Sequence, residues 1–206
     1  MELDPRRFPR AAEFVEKLSH GLSSHPECRL KADIHEEISQ EFPALVNAGG
    51  IPKTIEDYLR GNYKDKWLPE VCGNCLILMV RDACFSSDED YLDWCCEYMG
   101  RLFQKPLYKI MMNVFSTSLI VMGAAKRWAT FHQGSDLRAE PIKKVEGRYQ
   151  SVGSLTYPPH LFTGLIVPQL GSVYTAALKA NKAEEPKVIS KETSKTESMF
   201  FVSWKA

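Results

Sequence analysis

The chain has 206 residues, enough for one large domain or two small ones. Hydrophobic residues make up 44%, aromatics 11% and charged residues 25%, which excludes a disordered, collagenous or coiled-coil protein. The 26 Lys/Arg balance the 26 Asp/Glu, so the strong positive charge of a dedicated nucleic-acid binder is missing.

The balance is uneven along the chain. Residues 1–100 hold 11 basic and 19 acidic side chains, a net of −8, and the remainder carries +8. These charges are interleaved with apolar residues, so they read as solvated surfaces that complement each other within the fold or across a dimer. The opening Met1-Glu2-Leu3-Asp4-Pro5-Arg6 carries no basic-then-apolar leader, and no run of 18 apolar residues occurs. The expectation is a cytoplasmic chain with no membrane span. Its six cysteines are then reduced thiols.

In chain order, Pro9 opens a helix through Leu18, stopped by Gly21. Leu30, Ile34 and Ile38, four apart, predict a second helix over 27–40. A short helix follows Pro52, with Ile55, Tyr58 and Leu59 on one side, and ends at Gly61. Val71 to Val80 is almost wholly apolar and reads as a buried helix. Ser86 and Glu89 have capping-box spacing ahead of a helix through Leu102. The longest candidate helix runs from Leu107 to His132.

After Gly134 the periodicity changes. Residues 136–144 and 148–157 read as strands, and 160–179 as a helix broken or kinked at Pro168. Residues 186–192 and 199–204 read as two further strands joined by a polar hairpin loop. Along the last strand Phe200, Val202 and Trp204 share the face expected to be buried. The sum is an α+β fold in a single domain, 1–206. A helical N-terminal part (1–132) precedes a β-β-α-β-β unit (133–206) with a small antiparallel sheet.

The helix end Val121-Met122-Gly123-Ala124-Ala125-Lys126-Arg127-Trp128, the strand end Leu155-Thr156-Tyr157-Pro158, Leu161-Phe162-Thr163-Gly164-Leu165-Ile166 and the closing Phe200-Phe201-Val202-Ser203-Trp204 resemble a sensor superfamily over roughly residues 85–205. It comprises haem-based nitric-oxide/oxygen-binding domains, vinyl-reductase-type small-molecule-binding domains and uncharacterised bacterial relatives of about this length. The chain looks most like the last group. The resemblance implies a ligand pocket between the long helix and the sheet. Haem-binding members place a histidine on the long helix and later a Tyr-x-Ser-x-Arg clamp. Here the aligned positions give Ala129 and Tyr157-Pro158-Pro159-His160, with no arginine at the needed offset. No haem or other cofactor is therefore expected.

The residues chosen as pocket candidates are Phe115, Met122, Trp128, His132, Tyr157 and His160. Cys72-Gly73-Asn74-Cys75 has metal or redox spacing, but its apolar downstream flank favours two buried thiols. The five histidines are scattered and read as surface or capping residues. No nucleophile elbow, phosphate loop or dinucleotide fingerprint occurs. The lysines at 179, 182, 187, 191 and 195 read as protection of a strand edge.

The functional expectation is a non-enzymatic bacterial sensor or ligand-binding domain. It would bind a small apolar ligand and signal through a homodimer or a protein partner. The alternatives are an interaction module without ligand and a metal or redox protein using Cys72 and Cys75.

Overall fold

The structure is a computed structural model that describes residues 3–35, 37–47, 49–106, 108 and 117–205. Helices α1 (Pro9–Glu16), α2 (Ile38–Glu41), α3 (Pro43–Val46), α4 (Lys53–Leu59), α5 (Glu70–Cys84) and α6 (Asp88–Gln104) precede α7 (Thr117–Met122) and α8 (Ala124–Phe131). Strands β1 (Arg29–Lys31), β2 (Trp67–Pro69) and β3 (His132–Gln133) form a three-stranded antiparallel sheet in the order β2-β1-β3. Strands β4 (Asp136–Ala139), β5 (Lys143–Val145) and β6 (Arg148–Thr156) then lead to helix α9 (Ile166–Ala180). The chain closes on β7 (Glu184–Ser194) and β8 (Glu197–Lys205). The second sheet is antiparallel in the order β4-β6-β8-β7, with β5 beside β6. The fold is α+β. One buried apolar cluster runs from Phe8 to Trp204.

The helix expected over 27–40 does not form. Residues 29–31 are extended, 32–35 form a 3-10 turn, and only 38–41 are α-helical. Leu30 pairs with Leu68 and His132, and the Cys28 carbonyl accepts the first backbone N–H of α5. Long-range strand pairing overrides the local spacing of Leu30, Ile34 and Ile38.

Helix α6 starts one residue later than its sequence signal. Ser87, not Ser86, caps it, accepting from the Asp90 N–H at 3.0 Å. The helix expected over 107–132 is described from Thr117 onward and is divided at Gly123, which precedes α8. His132 leaves it and joins β3. Nor does Pro168 break its helix. Helix α9 begins at Ile166 rather than His160, which puts Pro168 in the first turn, where a missing N–H costs no intrahelical bond. Gly171 lets α9 settle on the sheet, because an added Cβ would lie 3.2 Å from Ser190 Oγ.

On β8, Phe200, Val202 and Trp204 are buried and Phe201 is 42% exposed. Tyr174 of α9 packs on Phe200, with ring centroids 4.9 Å apart. Strand β7 forms one edge of the sheet and presents Lys187 and Lys191 to solvent on either side of exposed Ile189. Among the described residues no helix is long and apolar enough to cross a membrane.

Candidate functional site

A cavity of about 190 Å³ lies between α6, α8, α9 and the inner face of the larger sheet. Its wall on α8 is Ala124, Arg127, Trp128 and Phe131. Those positions recur at intervals of three and four, so a single stripe of the helix faces inward. Helix α6 adds Trp94, Tyr98 and Leu102 at the same spacing, and α9 adds Leu170, Val173, Tyr174 and Ala177. Leu137, Gly153 and Val202 close the sheet side.

One end of this apolar space is polar and lies at the first turns of α5. Glu70 is 1% exposed there, and its Oε2 lies 3.1 Å from His132 Nδ1. A carboxylate only accepts, so the imidazole carries its hydrogen on Nδ1. The positive pole of α5 adds to the stabilisation of the buried anion. The His132 ring stacks on Trp128, with centroids 3.6 Å apart and planes 5° from parallel. Trp128 Nε1 donates to Ser135 Oγ at 3.0 Å, which fixes the indole. One turn beyond Glu70, Asn74 Nδ2 donates to the Leu161 carbonyl at 2.8 Å and anchors the loop before α9.

His35 completes this end. It is 6% exposed and seated against Gly73, whose added Cβ would lie 3.8 Å from His35 Nε2. Burial, and secondarily the nearby His132, pushes its pKa down from 6.5 to about 3, so the ring is neutral at pH 7. His35 Nδ1 is buried and has no hydrogen-bond partner among the described residues, and the same holds for Tyr174 Oη.

Of the six pocket candidates, the structure brings Trp128 and His132 to the cavity. Tyr157 is buried one layer away. Its hydroxyl pairs with Ser198 Oγ at 2.7 Å, and its ring meets the edge of Phe162, which in turn touches Trp128 and His132. His160 is in a turn with φ 63°, its N–H donating to the Lys195 carbonyl at 2.8 Å. Met122 is 64% exposed at the end of α7 and is not among the described residues that line this cavity. Phe115 lies outside the described residues. The surface or capping reading of the histidines is overturned at His35, which is buried, whereas His132 is the C-cap residue of α8 and is partly buried beside Glu70.

Cys72 and Cys75 are both buried on α5. Burial pushes the Cys72 thiol up to about 11 and the Cys75 thiol higher still, so both stay protonated. Among the described residues no group of three or more His, Cys, Asp or Glu is placed to hold a metal ion.

The residues that sequence reasoning missed are Glu70, Asn74, His35 and Tyr174. A signal for the first two existed. They are polar residues four apart at the start of an otherwise apolar buried helix, and Ile77 continues the same stripe into the cavity.

The fold and site define an α+β chain with an aromatic-walled cavity that is polar at one end. No family model, curated protein or solved structure matches the chain.

Proposed function

We propose that this protein is a non-catalytic ligand-binding module, a sensor domain that takes a small apolar molecule into the cavity between α6, α8, α9 and the sheet. The carrying observation is the cavity itself: about 190 Å³, walled largely by aromatic and aliphatic side chains. An apolar cavity of about 150 Å³ in another protein stays dry and accepts benzene, so one or two rings is the matching size here.

The mechanism is a population shift. Helix α8 contributes no fully buried residue, yet its inner stripe forms one wall. A ligand touching that stripe favours the docked position of α8, which also contacts β4 and β1. The output passes through a homodimer or a protein partner. Six free cysteines suit a reducing, cytoplasmic setting.

Haem is no part of this reading, because the chain does not fit it. The position aligned with the proximal histidine holds Ala129, whose side chain is exposed, and no clamp arginine follows Tyr157.

Thermal unfolding with and without indane, a nine-carbon hydrocarbon, tests the proposal. At a hundredfold excess over Kd a ligand adds about 2.7 kcal/mol, which raises Tm by roughly 5–10 °C for a chain of this size. Val173→Phe, which pushes a ring into the cavity, removes the rise. An unchanged Tm of the unsubstituted protein over the soluble range of indane contradicts the proposal.

A further inference from the structure

Strand β7 ends the larger sheet, and its two faces have different surroundings. Val188 and Ser190 turn toward α9, where a Cβ added at Gly171 would lie 3.8 Å from Val188 Cγ1 and 3.2 Å from Ser190 Oγ. Successive side chains alternate, so Lys187, Ile189 and Lys191 point to the outer face. Ile189 stands opposite Phe201 of β8, and Phe201 opposite Val152 of β6, so these three side chains form one apolar row across that face. At the edge end of the row, Ile189 is 68% exposed. The unpaired charges beside it are of one sign. Among the described residues neither Lys187 nor Lys191 joins an ion pair. Nearby acids are engaged or displaced. Glu192 accepts from Thr163 Oγ1 at 3.0 Å and from the Gly164 N–H at 3.1 Å, and Glu185 pairs with Arg148 and Lys205. Glu184 lies beyond a register shift at the start of the strand.

We infer that this edge docks an extended acidic segment of a partner protein, which adds to β7 as a further strand. Between its two register shifts β7 is regular over Lys187–Glu192, about 20 Å of edge. An edge strand turns the N–H and C=O of alternate residues away from its sheet, and an added strand pairs with them. On the outer face the side chains of that strand stand beside Lys187, Ile189 and Lys191. The complementary pattern is acidic, apolar, acidic at every second position. Lysines on an edge also discourage pairing. Protection alone does not account for a large apolar side chain left in water between them, in line with Phe201 and Val152. The same charges disfavour a second copy. Added antiparallel with Ile189 opposite Ile189, it sets Lys187 against Lys191 at both ends of the contact. The cavity lies on the other side of the sheet, so docking here needs no ligand within it.

Amide NMR titration of the full chain at low salt with the peptide acetyl-Ser-Glu-Thr-Ile-Thr-Glu-Ser-amide tests this, with acetyl-Ser-Lys-Thr-Ile-Thr-Lys-Ser-amide as its counterpart. The acidic peptide is expected to bind about tenfold more tightly than the basic one and to shift the amides of residues 187–192. Most of that advantage disappears in about 0.5 M salt. The double variant Lys187→Glu/Lys191→Glu, altered only at exposed positions, reverses the order of the two peptides. Equal binding of both peptides by the unsubstituted chain overturns the inference. So does binding that leaves residues 187–192 unshifted, an unchanged order in the double variant, or no binding of the acidic peptide up to about 1 mM. Sedimentation of the chain alone covers the other occupant: a dimer dispersed by Ile189→Lys assigns the edge to a second copy and overturns the inference as well.

Discussion

Helices α5 and α8 both face the cavity but are held in opposite ways. From Glu70 to Arg81 every residue of α5 is buried, whereas α8 has no buried residue at all. A helix enclosed on all sides must satisfy its polar groups internally. Helix α5 does so: Asn74 bonds the Leu161 carbonyl, Glu70 takes His132, and Arg81 reaches Asp88 at 2.6 Å and the Phe85 carbonyl. A helix packed through one stripe keeps half its surface in water and depends on what fills the space beneath it. Burial therefore concentrates on the α5 side of the cavity, and under the proposed function the response would come from the α8 side.

The largest test of that contrast is a pair of truncations. Leu76→Ala on α5 removes a wholly buried side chain and is expected to cost ~2–5 kcal/mol. Phe131→Ala on α8 removes a half-buried ring and should cost less than ~2 kcal/mol. Urea unfolding of the two variants decides, and equal losses would erase the distinction.

Acidification probes the polar end beside α5. An unfolded chain protonates His35 near 6.5, but the folded chain resists until about pH 3. Between those values the unfolded state binds the extra proton, so stability falls as pH falls, by up to ~1.4 kcal/mol per unit. From pH 6.5 to 5 the expected loss is roughly 2 kcal/mol from this group. Stability curves for the protein and for His35→Gln should differ in slope across that window. Identical slopes would place His35 in water.

Two tyrosines give a finer comparison within the cavity wall. Tyr98→Phe breaks a buried bond to the Ile34 carbonyl and should cost ~1 kcal/mol. Tyr174→Phe removes a hydroxyl without a partner among the described residues, and should leave stability unchanged or raise it by up to ~1 kcal/mol. Matched chemical denaturation of both variants ranks them, and a larger loss at Tyr174 would show that its hydroxyl is bonded in the folded chain.

The elements that were legible are those whose pattern is long. Nine residues of β8 alternate cleanly, so the buried set Phe200, Val202 and Trp204 follows from period two alone. Strand β1 spans only three residues, too few to show a period. It is extended because Leu30 pairs with Leu68 and His132, far away in sequence. Trp128 and His132 were reachable because the resemblance implied a pocket beside the end of that segment, where they stand four residues apart. His35 was not, because an isolated histidine reads as a surface residue and its burial depends on the room left at Gly73. Nor could Glu70 be paired with His132 across 62 positions without the fold. Polar interruptions at Glu70 and Asn74 in an apolar run were the overlooked local sign.

The most direct test of the account is methyl NMR of the full chain titrated with indane. In the cavity the hydrocarbon would lie against Leu102, Val121, Leu137, Leu170, Val173 and Val202. These methyl signals are expected to shift together with one apparent Kd, while the methyls of Leu45, Ile55 and Leu59, which do not line the cavity, stay in place. Unmoved cavity methyls, or shifts confined to residues outside the cavity, would contradict it.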